Sequence, residues 1–446
     1  MLASGCSPPA PVPATRSIET SLVQSTITHI SPRSTKFPTP VMAENSANPV
    51  PFSEPSYLCG LPSPYYTESH RQFQKACRKF LWDNLLSQGP EWEKEGTVPD
   101  HVFGTFNRHG MLLPNLPAPL PVDWLKRLGI NDILGVKVEE WDYLHTGIYC
   151  DELGRSGLAG PGASLTAGFA FGIPPIIKHA SRELKERFLP DFLSGKKRTC
   201  IAITEPDAGS DVANITTTAR KTEDGKHYII NGAKKWITNG IWSDYTTMAK
   251  AGGTTYIELD HVKVPVSNLI GKEGNGLRII LTNFNHERLT IAVGVTRQAR
   301  TALAAAFEYC LKRDAFGKKL MDQAVVRHRL AKAGAELETL NAWTEQLLYQ
   351  MKHLKPQEAD LKLGGITALA KAKAGMVLNE CAQCAVLLFG GNGFTAAGQG
   401  ALVEAIYRDV AGARIPGGSE DVLLDLAVRQ LVKIYQLGGG KAASKI

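Results

Sequence analysis

Long apolar runs are missing from this 446-residue chain: none approaches the roughly 20 consecutive residues that cross a bilayer, so no membrane span is expected. One-signed charge is also scarce. The formal net charge is +7, with no dense Lys/Arg run interleaved with aromatics, so nucleic acid is not an expected partner. Cysteine is sparse and scattered. Only Cys381 and Cys384 form a CxxC, inside a helical apolar pattern and without a second CxxC or paired histidines. That spacing predicts a buried helix face in a reducing compartment, and no metal site. No solenoid-length repeat is visible. What is present is an ordinary globular composition, in a length that allows two or three domains and a large core.

Residues 1–55 are rich in Ser, Thr and Pro with almost no hydrophobic periodicity, which predicts disorder. Arg16, Arg33 and Lys36 against a single early acid, Glu19, allow a mitochondrial transit peptide, and Met42 offers an alternative start. From residue 67 the spacing of Phe73, Cys77, Phe80 and Leu81 turns helical, opening an all-α domain over 56–198 with further helices over 141–153 and 181–193. A β module over 199–275 follows. Its expected strands are 200–204, 215–221, 227–231, 235–238, 245–249 and 254–259, with a tight hairpin-like turn before residue 254. Residues 276–436 are nearly all helical, beginning with one long helix over 277–311, and predict a helical bundle; 437–446 form a flexible tail. The expected class is α+β, with an N-terminal all-α domain, a middle antiparallel barrel-like domain and a C-terminal four-helix bundle.

Four stretches carry the chemistry: IAITEPDAGSDV (201–212), INGAKKWITNG (230–240), KRDAFGKKL (312–320) and LFGGNGF (388–394). Read alone, they are a strand-end turn, a buried aromatic strand, a basic helix terminus and a helix stop. In this order and spacing they resemble the acyl-CoA dehydrogenase family, over roughly residues 65–435. The resemblance implies FAD as cofactor and an acyl-CoA thioester as substrate. It places Thr204, Trp236, Ile237 and Thr238 at the flavin and Ser210 at the substrate. It also brings Arg313 and Phe316 to the cofactor's diphosphate and adenine across a subunit interface, with Gly390, Gly391 and Gly393 where backbone approaches the dinucleotide. A guanidinium suits phosphate oxygens. Ala324 and Leu387 stand where the family carries glutamines, so those cofactor hydrogen bonds are expected to be lost or rearranged.

The reaction implied by the resemblance needs a carboxylate that removes a proton beside the thioester carbonyl while a hydride leaves the next carbon. Most family members place that glutamate in the final YRD segment. Here the segment reads YRDVAGARIPGGSED (407–421), with Gly417 at that position and Ser419 keeping the hydroxyl that meets the cofactor. The isovaleryl-type and long-chain-type members place it instead on the long bundle helix before an arginine. NFNHERLTIA (283–292) matches that arrangement, making Glu287 the base and Arg288 its substrate-side neighbour; Glu420 is out of register.

Family members have several more strands between the WITNG segment and the TTYIELDHVKVP segment, so the middle domain is expected to be shortened. That shortening keeps two alternatives open: a non-catalytic scaffold, and an oxygen-using acyl-CoA or nitroalkane oxidase. Electron-transfer flavoprotein is the usual acceptor, a homodimer or homotetramer the usual assembly. The terminal Ser-Lys-Ile resembles a peroxisomal signal, with the mitochondrion as alternative.

Overall fold

The computed structural model describes residues 48–243 and 254–438. The expected strand at 245–249, the turn before 254, the start at Met42 and the terminal Ser-Lys-Ile lie outside them.

The N-terminal domain is built on α1 (Glu68–Leu81), α2 (Tyr143–Leu153) and α3 (Arg182–Leu193), with shorter helical turns between them. Their apolar faces bury Phe73, Leu81, Phe106, Leu112 and Tyr149 in one core. A two-residue hairpin, Asp132–Ile133 with Val136–Lys137, is added to the all-α expectation. Residues 48–55, expected within the disordered extension, are instead packed. Glu54 is buried and accepts from Arg78 Nη1 at 3.2 Å and from Arg155 Nη1 at 3.1 Å. Arg300 Nη1 donates to the carbonyls of Phe52 and Glu54, at 3.1 and 3.0 Å. Composition hid this because the segment is held by its backbone and one carboxylate rather than by an apolar stripe.

The middle domain is an open, three-stranded antiparallel sheet in order β1 (Thr218–Lys221), β2 (His227–Ile237), β3 (Thr255–Pro265). Residues 200–204 are not a strand, contrary to expectation; Lys235 N–H donates to Thr204 O at 2.9 Å, which fastens this stretch beside β2. The strands expected at 227–231 and 235–238 are one strand with register shifts at Ile230/Gly232 and Lys234/Ile237. Gly232 is required at the first: a Cβ there would lie 2.4 Å from Thr217 Oγ1. The second shift bends the strand and turns Trp236, at φ +61°, to solvent.

The C-terminal domain contains α4 (Gly276–Leu281), α5 (Phe284–Lys312), α6 (Ala324–His353), α7 (Pro356–Phe389), α8 (Ala401–Arg414) and α9 (Glu420–Gly438). The long helix expected over 277–311 is broken between α4 and α5. Lys178 Nζ takes the Thr282 carbonyl at 2.8 Å and the Asn283 side chain turns to Ala170 O, so the neighbouring domain draws the polar groups of the break away from the helix. Helix α7 is long and apolar enough to cross a membrane by length and composition, although Lys371, Lys373 and Glu380 interrupt its apolar residues. Its central place in the bundle, packed on α5, α6, α8 and α9, accounts for that composition. Cys381 and Cys384 are buried on it, and burial pushes both thiols up, as expected of an inert helix face.

Candidate active site

Helix α5 puts Glu287 in its first turn, where the carboxyl is buried. Burial pushes its pKa up to about 7, against the lowering influence of the Asn283 amide and the Arg288 and Lys178 charges. Asn283 Nδ2 donates to Glu287 Oε1 at 2.8 Å. A carboxyl poised near neutrality in an apolar setting is suited to taking a proton. Arg288, whose own pKa burial draws down to about 10, donates from Nε to Gly417 O at 3.2 Å. The loop after α8 is therefore carried to the first turn of α5. Lys371 Nζ holds the same loop through Arg414 O at 2.7 Å and Gly418 O at 2.8 Å. Ser419 ends the loop, its carbonyl accepting from Leu423 N in the first turn of α9. Glu420 is engaged by Arg414 at 2.7 Å, whereas the buried Glu287 makes no ion pair among the described residues.

The β-module residues form a second group. Thr204 is half-buried and adjoins β2, Ile237 packs with Cys200 and Ile257 in a small core, and Thr238 lines a cavity of about 310 Å³ with Trp242 and Thr254. Trp236 is 65% exposed and Ser210 is exposed. A third group joins KRDAFGKKL to LFGGNGF. Tyr309 stacks on Phe389 with centroids 4.1 Å apart and its hydroxyl accepts from Asn392 Nδ2 at 3.2 Å. Arg313 lines a cavity of about 530 Å³ beside Tyr309 and Phe389. Phe316 is 92% exposed. Gly390 and Gly391 face open space, whereas a Cβ on Gly393 would meet Val386 O at 2.6 Å.

Glu287 and Arg313 are not brought together. Twenty-six residues of nearly continuous helix separate them, about 39 Å at 1.5 Å per residue, so within one chain they serve different ends of any ligand.

Two features escaped the sequence reading. Asn283 is one, although its i, i+4 spacing to Glu287 is a legible signal. The other is buried Glu205, which accepts from Lys234 Nζ at 2.8 Å and Thr216 N at 2.6 Å and so fixes the loop between Thr204 and Ser210. His70, Asp142 and His145 also cluster. There Thr67 N–H donates to His70 Nδ1 at 3.0 Å, leaving Nε2 as donor toward Asp142, and Lys352 Nζ sits 2.7 Å from the same carboxylate. It is a hydrogen-bonded helix cap with its cation built in.

Three family models match in the order of the domains: acyl-CoA dehydrogenase N-terminal domain over 67–196, middle domain over 200–279 and C-terminal domain over 274–432. The chain belongs to the acyl-CoA dehydrogenase family. It is an enzyme of that flavin-dependent oxidoreductase class, 70% identical over 429 residues to acyl-CoA dehydrogenase apdG of Emericella nidulans, covering 89% of this chain and 98% of that protein. Since 89% of a 446-residue chain is fewer than 429 residues, that relative carries residues without a counterpart here. The mitochondrial long-chain specific acyl-CoA dehydrogenase of Mus musculus is 26% identical, over 82% of this chain and 87% of its own length. An acyl-CoA dehydrogenase of Bacillus anthracis complexed with FAD shares the fold with a TM-score of 0.71 at 22% identity, over 85% of this chain and 69% of that one.

Proposed function

We propose that this acyl-CoA dehydrogenase family member removes the α-proton of an acyl-CoA thioester with Glu287 as base, giving the trans-2-enoyl-CoA. The observation that carries the reading is the buried Glu287 carboxyl, with a pKa near 7, one residue from the arginine that holds the Gly417 loop. As carboxylate, Glu287 takes the proton from the carbon beside the carbonyl and becomes the neutral acid that its apolar surroundings favour. Arg288 keeps the Gly417 loop against that turn.

FAD suits the residues present: half-buried hydroxyls at Thr204 and Thr238, an outward Trp236 face, the open backbone of Gly390 and Gly391, and an Arg313 guanidinium with no ion pair among the described residues. When bound, it supplies an acceptor for the hydride that leaves the β-carbon. Thr204, Trp236, Ile237, Thr238 and Ser419 are assigned to its ring end, Arg313, Phe316, Gly390, Gly391 and Gly393 to its diphosphate and adenine, and Ser210 and Arg288 to the substrate side.

The separation of Glu287 from Arg313 supports a homo-oligomer in which one protomer completes its neighbour's cofactor site. Exposed Val428, Leu431, Val432 and Tyr435, an i, i+3, i+4, i+7 stripe on α9, support burial of that face in a dimer or tetramer. Electron-transfer flavoprotein is the proposed acceptor; rapid reoxidation by air alone would favour an oxygen-using enzyme. The last three residues are proposed as a peroxisomal address, tested by imaging a tagged protein with and without them. The function is tested with purified protein and a panel of acyl-CoAs: bleaching of the flavin band, abolished in Glu287→Gln, is expected, and undiminished turnover by that variant would overturn the assignment.

A further inference from the structure

Asn283 occupies the N-cap position of α5, where an asparagine ordinarily turns its Oδ1 back onto the free N–H groups of the first turn. Here it makes no such bond. Its Nδ2 donates at 2.8 Å to Glu287 Oε1 and at 2.8 Å to Ala170 O, while Oδ1, fully buried, has no partner among the described residues. Both the forgone cap and the unpaired oxygen cost stability. The amide is thus committed to two acceptors, one of them the candidate base.

The second acceptor explains the first. Ala170 lies in the turn Gly168–Gly172, which is pressed on the start of the middle domain: a Cβ on Gly168 would lie 2.4 Å from Thr199 O, and one on Gly172 3.1 Å from Thr199 Cγ2. Thr199 leads directly into the stretch that carries Thr204. The path from Thr199 through this turn to Ala170 O, Asn283 and Oε1 ties the base to the wall that Thr204 belongs to. Glu287 Oε2 accepts no hydrogen bond among the described residues, so the clamp leaves one oxygen to receive a proton.

Resting on the assignment of Glu287 as base, we infer that Asn283 is a positioning residue, which fixes the Glu287 carboxylate through Oε1, presents Oε2, and favours the ionised form. The charged groups facing Glu287 are Arg288 on its own helix and Lys178 from the helix Ile173–His179, with Asp360 of α7 acting on Lys178; both cations favour the carboxylate as well. Donation to a carboxylate lowers its pKa, so loss of the amide raises it.

Asn283→Asp keeps the shape and replaces the donor by an acid; Asn283→Ala removes the donor without adding charge. In each, flavin content and circular dichroism are measured first, then two titrations: kcat against pH, and the difference in melting temperature from the matching Glu287→Gln variant against pH, which reports Glu287 without any turnover. In Asn283→Asp both transitions are expected to move up by about one pH unit, with turnover at pH 7 falling about fivefold. Asn283→Ala should move them the same way by less. If Glu287→Gln is inactive yet neither transition moves in either Asn283 variant, the inference is overturned and the base assignment stands. If Glu287→Gln turns over normally, the base assignment falls, whatever the transitions do, and the positioning role falls with it.

Discussion

Arg288 Nε donates to the carbonyl oxygen of Gly417 at 3.2 Å, joining the first turn of α5 to the loop after α8. These are the two places where the family resemblance allows the base, and the structure sets them side by side. One carboxyl at this junction is enough, and Gly417 contributes none.

Returning a glutamate to the loop should not restore activity lost from α5. Gly417 has φ +72°, and a Cβ there would meet Ile291 Cδ1 at 3.0 Å. Gly417→Glu combined with Glu287→Gly is expected to lower stability by about 1–3 kcal/mol through backbone strain, and to recover no more than a trace of turnover. Thermal melts and acyl-CoA assays of the single and double variants check this.

The raised pKa of Glu287 carries a stability consequence opposite to its catalytic one. Unfolded, the carboxyl titrates near 4.5; folded, near 7. Between those values the folded chain holds the extra proton, so this group's contribution to stability is complete below about pH 4.5 and lost as pH rises through 7. Glu287→Gln should therefore melt higher than wild type above pH 7, by up to ~3 kcal/mol in stability, and alongside it near pH 4. Activity in the wild type should rise across the same interval.

Arg313→Ala should weaken FAD binding about tenfold while leaving the melting temperature of the flavin-free chain unchanged. The guanidinium is exposed and makes no ion pair among the described residues, so nothing in the fold depends on it. Arg313→Lys should recover only part of the affinity, because an ammonium cannot make the forked contact to a phosphate. Titration of the flavin-free protein with FAD measures both.

Glu54→Ala should be the most destabilising of these changes, by about 3–5 kcal/mol. It leaves Arg78 and Arg155 buried with one carboxylate fewer, while the backbone carbonyls that Arg300 holds remain. Denaturant unfolding at pH 7 reads the loss.

The helices and their faces could be read from periodicity, because the spacing of Phe73, Cys77 and Phe80, or of the apolar positions of α6 and α7, is a property of the chain alone. The break at Asn283 could not, since it depends on Lys178 and Ala170, more than 100 positions earlier. Residues 200–204 carry a β-like pattern yet form no strand: Lys235 N–H meets Thr204 O without a continuing ladder. Outward Trp236 belongs to the same class, because a register shift in β2, not the alternation of residue types, sets its direction.

For the site, sequence determined the inventory. It named Glu287 and Arg288, noted the glycine at 417, and supplied the motifs that identify the family. Tertiary structure decided what those groups can do. Burial raises the Glu287 pKa, the Asn283 amide holds one of its oxygens, and the distance along α5 parts it from Arg313. Residue type fixes which proton a group can carry; the dielectric and the hydrogen bonds around it, assembled from remote segments, fix when it carries it.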